Sequence, residues 1–314
     1  MTTMITQAAR RTIILPLLLL AGCGLEGIGG PRETEDFVQS HPFKQGGRVL
    51  IENFNGPVEV SGWDEDRIEV AGAKHASSKD LLAMLRIDVR VTGDLAEVRS
   101  VRPTDAPRYA NLGVRYRIKV PRNTRLDRVL SSNGGITIEN VDSVSRIKTS
   151  NGPVRVTRAK GDVDAVTSNG PVELREFSGG ATVVTSNGPV RAGGVSGRLD
   201  VTTSNGPISV DGSEFERGRT LRLRTSNAAV TVDIGSRLET DVNIATSNGP
   251  ITLRVPEGAG AKIRAATSNS AVTCELDRLD VRSRTKHSLD ATAAGGGPLL
   301  ALTTSNGPIR IGKR

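Results

Sequence analysis

The chain has 314 residues, of which only 3% are aromatic; this argues against the interleaved ring-and-charge surfaces that bind nucleic acid. Its formal charge of +8 includes Arg10 and Arg11, and without residues 1–22, which hold no acids, it is 40 − 34 = +6, a mild excess with acids interleaved that reads as a solvated surface. Cys23 and Cys274 are the only cysteines, so the fold does not depend on a disulfide.

Residues 1–22 read as a lipoprotein signal peptide. Arg10-Arg11 form the positive flank, Thr12 to Leu20 is an apolar run too short to span a bilayer, and Leu20-Ala21-Gly22-Cys23 resembles the bacterial lipobox. Cys23 is therefore the expected lipid-attachment site and mature N-terminus, the alternative being an ordinary signal peptide with an incidental cysteine. Gly24 in the second mature position is compatible with the outer membrane if the host is Gram-negative. Residues 23–46, rich in Gly, Pro and charge (Gly29-Gly30-Pro31-Arg32-Glu33), are expected to form a flexible tether.

Residues 47–121 read as a β-rich capping region, continuous with the domain that follows. Asn55-Gly56-Pro57-Val58-Glu59-Val60 is a first copy of the repeat described below, and the only tryptophan, Trp63, is expected to cover the open end of the core. Ser78 looks like the N-cap of a short helix from Lys79 to about Arg86, with Leu81, Leu82 and Leu85 on one face. Ile87–Val91, Ala96–Val101 and Val114–Val120 alternate as strands, and Pro121 closes the region.

Residues 122–314 are dominated by a period. Asn133, Asn151, Asn169, Asn187 and Asn205 lie 18 residues apart, mostly within Thr-Ser-Asn-Gly-Pro, and Asn227, Asn248, Asn269 and Asn306 follow at steps of 22, 21, 21 and 37. Columns of β-branched residues flank each asparagine with period-2 alternation (Val129, Ile147, Ala165, Val183, Val201 before it; Ile136, Val154, Val172, Val190, Ile208 after it), so each unit holds two strands and two corners. Asn-Gly ordinarily favours a hairpin. Three features oppose one here: Pro follows Gly in most copies, the Gly slot is Ala228 and Ser270 in two others, and the columns keep one register. The expected fold is all-β, a right-handed parallel β-helix or solenoid of nine to ten coils of about 18–22 residues, after a small β-rich cap with one short helix. The threonines before the asparagines are expected to face the core. Asn133, Asn151, Asn169, Asn187, Asn205, Asn227, Asn248, Asn269 and Asn306 are expected to form a structural amide ladder bonded to the corners above and below, each held left-handed. His287, 18 residues after Asn269 and 19 before Asn306, is expected in the asparagine slot of a degenerate coil.

The combination of Gly56-Pro57-Val58-Glu59-Val60-Ser61-Gly62-Trp63-Asp64, Tyr116-Arg117-Ile118-Lys119-Val120-Pro121 and the Ser-Asn-Gly repeats resembles the DUF4097 family of adhesin-like bacterial envelope proteins over roughly residues 47–311. The resemblance implies a β-helical domain and an adhesin-like role in the envelope.

The residues themselves offer little chemistry. Asp164 and Asp200 share an outward column two coils apart, about 9.6 Å at 4.8 Å per coil, with no further catalytic group converging on them. Asp64-Glu65-Asp66 lacks the spacing of a calcium loop, and His41, His75 and His287 form no zinc motif. The expectation is a lipid-anchored, non-enzymatic binding or structural module without cofactor or metal, whose partners are the membrane and either an envelope polysaccharide or another envelope protein, with no nucleic acid. The alternative is a carbohydrate-processing β-helix, active or degenerate.

Overall fold

The computed structural model describes residues 33–107, 110–215 and 217–314. The expected signal peptide, Cys23 and residues 24–32 of the expected tether lie outside the described residues. Glu33–Pro42, placed in the tether by composition, is instead a strand, paired antiparallel along its whole length with Arg67–Ala76. From Phe37 onward half-buried Phe37, Gln39 and His41 alternate with exposed Val38, Ser40 and Pro42, a strand pattern that outweighs the flanking Gly and Pro once a partner strand is present.

The described chain is a parallel β-solenoid with two sheets. One sheet carries the strands that follow the Asn-Gly corners and the other the strands that precede them. Register is kept from coil to coil: Val154 pairs with Ile136 and Val172, Val172 with Val190, and Val190 with Ile208. In the facing sheet Ile147 pairs with Val129 and Ala165, and Ala165 with Val183. All of these side chains are buried. The two sheets enclose one continuous apolar column, which is why every coil needs β-branched or aliphatic residues at the same positions.

The parallel stack contains eleven coils, each contributing one strand to each sheet, against the nine to ten expected. Their spatial order departs from chain order at both ends. The first coil, Arg48–Asn53 with Val58–Trp63, lies between the Asn133 coil and the coil of Leu95–Val101 with Gly113–Pro121. The region read as a cap therefore supplies the outermost coil at that end. At the other end the last coil, Leu299–Thr304 with Ile309–Lys313, sits between the Asn248 and Asn269 coils. No degenerate coil occupies the 37-residue step. Leu279–Arg284 and Ser288–Ala293 form an antiparallel pair that adds to the Asn269 coil in one sheet. His287 lies at their turn, its Nδ1 against the Ser270 carbonyl, outside the asparagine column.

Antiparallel strands also close the first end: Arg67–Ala76 and Glu33–Pro42 on one sheet, and Arg86–Thr92 on the other. The helix is Lys79–Met84, with the Ser78 hydroxyl accepting from the Leu81 amide at 3.3 Å and Leu82 buried. Trp63 does not seal the core. It is half-buried, donates Nε1 to the Arg67 carbonyl and has both the Arg67 and Lys119 cations over its ring. The first end is filled instead by Phe43, Leu85 and Tyr116, all buried, with Phe37 edge-on to the Tyr116 ring at 5.9 Å.

Candidate functional site

The Thr-Ser-Asn-Gly-Pro corner is the most repeated element of the molecule, and its residues divide sharply by burial. The threonines face inward, as expected: Thr149, Thr167, Thr185, Thr203, Thr225, Thr246, Thr267 and Thr304 are buried. Thr149 Oγ1 donates to the Gly134 carbonyl at 2.8 Å, and Thr304 Oγ1 to that of Gly249 at 3.1 Å. In the same coils or their equivalents the hydroxyl also accepts from the corner glycine, as in Gly188 to Thr185 at 3.2 Å and Gly307 to Thr304 at 3.3 Å. One hydroxyl thus serves a donor and an acceptor that would otherwise be buried and unpaired.

The serine and asparagine that follow are exposed in all nine coils. Their amide N–H groups both donate to the serine carbonyl of the coil below, for example Ser186 and Asn187 to Ser168 at 3.2 and 3.0 Å. The asparagine side chains form a continuous ladder in which Nδ2 of one rung donates to Oδ1 of the rung before it. The steps run 151 to 133, 169 to 151, 187 to 169 and 205 to 187, each 2.8 Å, then 227 to 205 and 248 to 227 at 2.7 Å. Asn306 continues onto Asn248 and Asn269 onto Asn306, both at 2.7 Å. The nine residues expected from the sequence are all members. The ladder differs from expectation in joining side chain to side chain on the surface, not side chain to buried corner.

None of the nine asparagines has positive φ. The left-handed residues lie at a different corner, where Asn140, Arg158 and Glu176 (φ 57, 49 and 49) share a column with Gly194 and Gly212 (φ 60 and 55). Gly194, Gly212 and Asn140 are residue types that favour this conformation, whereas Arg158 and Glu176 gave no signal of it in the sequence. The glycine of the Asn-Gly corner is required for closeness of approach: a Cβ on Gly170, Gly188 or Gly206 would lie 1.8 Å from the carbonyl oxygen of the corresponding glycine below. Two coils carry a Cβ in this column, at Ala228 and Ser270.

Outside the corner, the outward columns carry charges that pair along the stack. Arg146 lies 3.7 Å from Asp164, Arg155 3.6 Å from Glu173, and Arg254 reaches both Asp233 oxygens at 3.1 and 3.2 Å. Asp164 and Asp200 both register against Thr182, one on each side, as the column spacing implies. The Asp64-Glu65-Asp66 turn is held by cations: Asp64 with Arg122 and Glu65 with Arg67, each at 2.6 Å. The hydrogen bond from Arg122, reinforced by its charge, holds the Asp64 carboxyl below its ordinary pKa. Among the described residues no group of three His, Cys, Asp or Glu side chains is placed to hold a metal ion. Two surface depressions are of mixed charge, one lined by Asp162, Arg198 and Arg219 and the other by Glu173, Arg175, Arg191, Gly193 and Asp211.

No family model matches the chain, and none of the curated proteins does. The resemblance to the DUF4097 family therefore rests on the quoted residues alone. Among solved structures, the chain is similar to a candidate cell adhesion protein from Clostridium sporogenes (10% identity over 90% of this chain and all of that one, TM-score 0.28). It is similar also to a candidate lipid-binding protein from Parabacteroides distasonis (13%, covering 92% and 98%, TM-score 0.42). A candidate adhesin from Bacteroides fragilis gives 11% identity, coverage of 89% and 97%, and a TM-score of 0.32. At such identities and scores the functions of these proteins do not transfer to this chain.

Proposed function

We propose that the protein is a non-catalytic contact module of the cell envelope, lipid-anchored at Cys23, that binds an extended partner along its asparagine ridge. The observation that carries this reading is the line of nine exposed Ser-Asn pairs, one per coil, about 38 Å from first to last at 4.8 Å per coil. A carboxamide has two N–H groups and two acceptor lone pairs. The ladder consumes one of each, so every interior rung keeps one donor and one acceptor for an outside partner. The ladder also fixes the amide planes beforehand, which lowers the ordering cost of binding. Single contacts of this kind are weak, and their number and common spacing supply avidity. A polymer of repeating hydroxyl or amide groups, such as an envelope polysaccharide, suits that pattern.

The test uses purified residues 24–314, the chain without its lipid-bearing cysteine, with envelope and extracellular polysaccharides, measuring both retention and product release. Binding without turnover, weakened when Asn169, Asn187 and Asn205 are together replaced by Ser, agrees with the proposal. Turnover abolished by Asp164→Ala or Asp200→Ala would replace it with the carbohydrate-processing reading.

A further inference from the structure

The ladder has a chemical consequence separate from binding. Asn-Gly is the dipeptide most open to intramolecular cyclisation, because glycine presents an unhindered backbone nitrogen to the asparagine Cγ. The Gly nitrogen attacks Cγ, a C–N bond forms and ammonia leaves with the displaced proton, giving a cyclic imide. Water then opens the imide at either carbonyl to aspartate or isoaspartate. The net change is asparagine plus water to an acid plus ammonia, and no other reactant is needed. The chain places Asn-Gly at Asn133, Asn151, Asn169, Asn187, Asn205, Asn248 and Asn306 on one exposed line.

The rungs are not equally held. The Asn187 amide donates to Asn169 and accepts from Asn205, both at 2.8 Å, while the Gly188 nitrogen is turned inward to Thr185 Oγ1. Asn205 with Gly206, Asn248 with Gly249 and Asn306 with Gly307 have the same three restraints. Asn133 is the first rung. Its Oδ1 accepts from Asn151 at 2.8 Å, but among the described residues its Nδ2 donates to nothing, which sets it apart from every interior rung; the Gly134 nitrogen, like those of Gly152 and Gly170, makes no hydrogen bond. In the coil below, the corresponding amide, Asn55, is turned away to the Leu112 carbonyl.

We infer that Asn133 is a site of spontaneous conversion to aspartate and isoaspartate in the folded protein, and that the ladder protects the Asn-Gly pairs inside it. The reactive end is also the tolerant one. An acid at an interior rung would lose the N–H that holds it to the rung before it, whereas an aspartate at position 133 still accepts from Asn151 and forfeits no bond. Conversion would place a new negative charge where the ridge meets the capping coils.

The experiment incubates the folded mature chain in mildly alkaline buffer and follows each Asn-Gly peptide by mass spectrometry, with isoaspartate separated by retention time. Asn133 should convert about tenfold or more faster than Asn187, Asn205 or Asn248, as expected for the added barrier of breaking the two further hydrogen bonds that those residues hold. In chain unfolded by guanidinium the sites should react at comparable rates. Equal rates in the folded protein, or a preference for Asn133 that persists after unfolding, would overturn the inference. An Asn151→Ala variant removes the acceptor of Asn169 and makes that residue a ladder end. Its conversion should then rise toward that of Asn133, and an unchanged Asn169 rate would also overturn it.

Discussion

At the scale of the residue, the corner separates two kinds of polar group that the sequence presents side by side. Placing the asparagines in a buried ladder implies a loss of about 1–3 kcal/mol for Asn187→Ala. The exposed ladder moves that cost to the neighbouring threonine. Thr185→Ala leaves the Gly188 N–H and the Gly170 carbonyl without their shared hydroxyl in a buried corner, and should destabilise by about 1–3 kcal/mol. Asn187→Ala loses two solvent-exposed hydrogen bonds and should cost about 0.5–1.5 kcal/mol. Arg191→Ala, on an exposed outward position, should stay within about 0.5 kcal/mol. Denaturant melts of the three variants check the order, and an Asn187 effect larger than that of Thr185 would contradict it. Cys274 gives a second prediction. It is half-buried against the core, and burial pushes its thiol above the ordinary value. Because the thiolate is the reactive form, alkylation at neutral pH should be slow and should accelerate on unfolding. The inward threonine column was legible from its two-residue offset to the valines. The exposure of the asparagines was not, because alternation fails at a corner and cannot say which way a side chain turns there.

At the scale of the element, the coils were readable and their order was not. Every coil presents nearly the same columns, so pairing along the axis is degenerate in sequence. The step of 21 from Asn248 to Asn269 equals the step from Asn227 to Asn248, and direct stacking is the natural reading of it. The structure instead admits the final coil between them: Ile244 registers with Leu302 and Leu302 with Ala265. His287 was a plausible rung by distance alone. The 37-residue step in fact holds an antiparallel pair followed by Ala294-Gly295-Gly296-Gly297, all with positive φ, which turns the chain back toward the slot. The arrangement places the C-terminal coil in the interior of the stack. Its amides should therefore exchange with solvent as slowly as those of the Asn248 coil, with Leu300, Leu302, Ile309 and Ile311 compared with Val242, Ile244, Ile251 and Leu253. Rapid exchange across residues 299–313 would show that the coil frays as an ordinary chain end does.

At the scale of the whole molecule, described residues 33–314 form a two-sheet parallel stack of eleven coils, about 48 Å between the first and last at 4.8 Å per coil. Repetition made the fold class legible, since identical columns can be buried only by stacking. The ends were hidden because they depend on strands that break the period. Glu33–Pro42 covers one sheet edge with charged residues and a proline, and Leu279–Arg284 covers another with Asp280, Arg282 and Arg284, features that discourage edge-to-edge association. Cys23→Ser should move the protein from the membrane to the soluble fraction; unchanged membrane association would remove the anchor from the proposed function. The asparagine ridge runs in spatial order 248–306–269, against the order of the chain. That order can be measured by pairwise cysteine cross-linking of these exposed rungs in a Cys274→Ser background. Adjacent coils place Cα atoms within disulfide reach, whereas rungs two coils apart, at about 9.6 Å, are beyond it. The pairs 248–306 and 306–269 should oxidise readily and 248–269 should not; ready closure of 248–269 with no reaction at 306 would contradict the account.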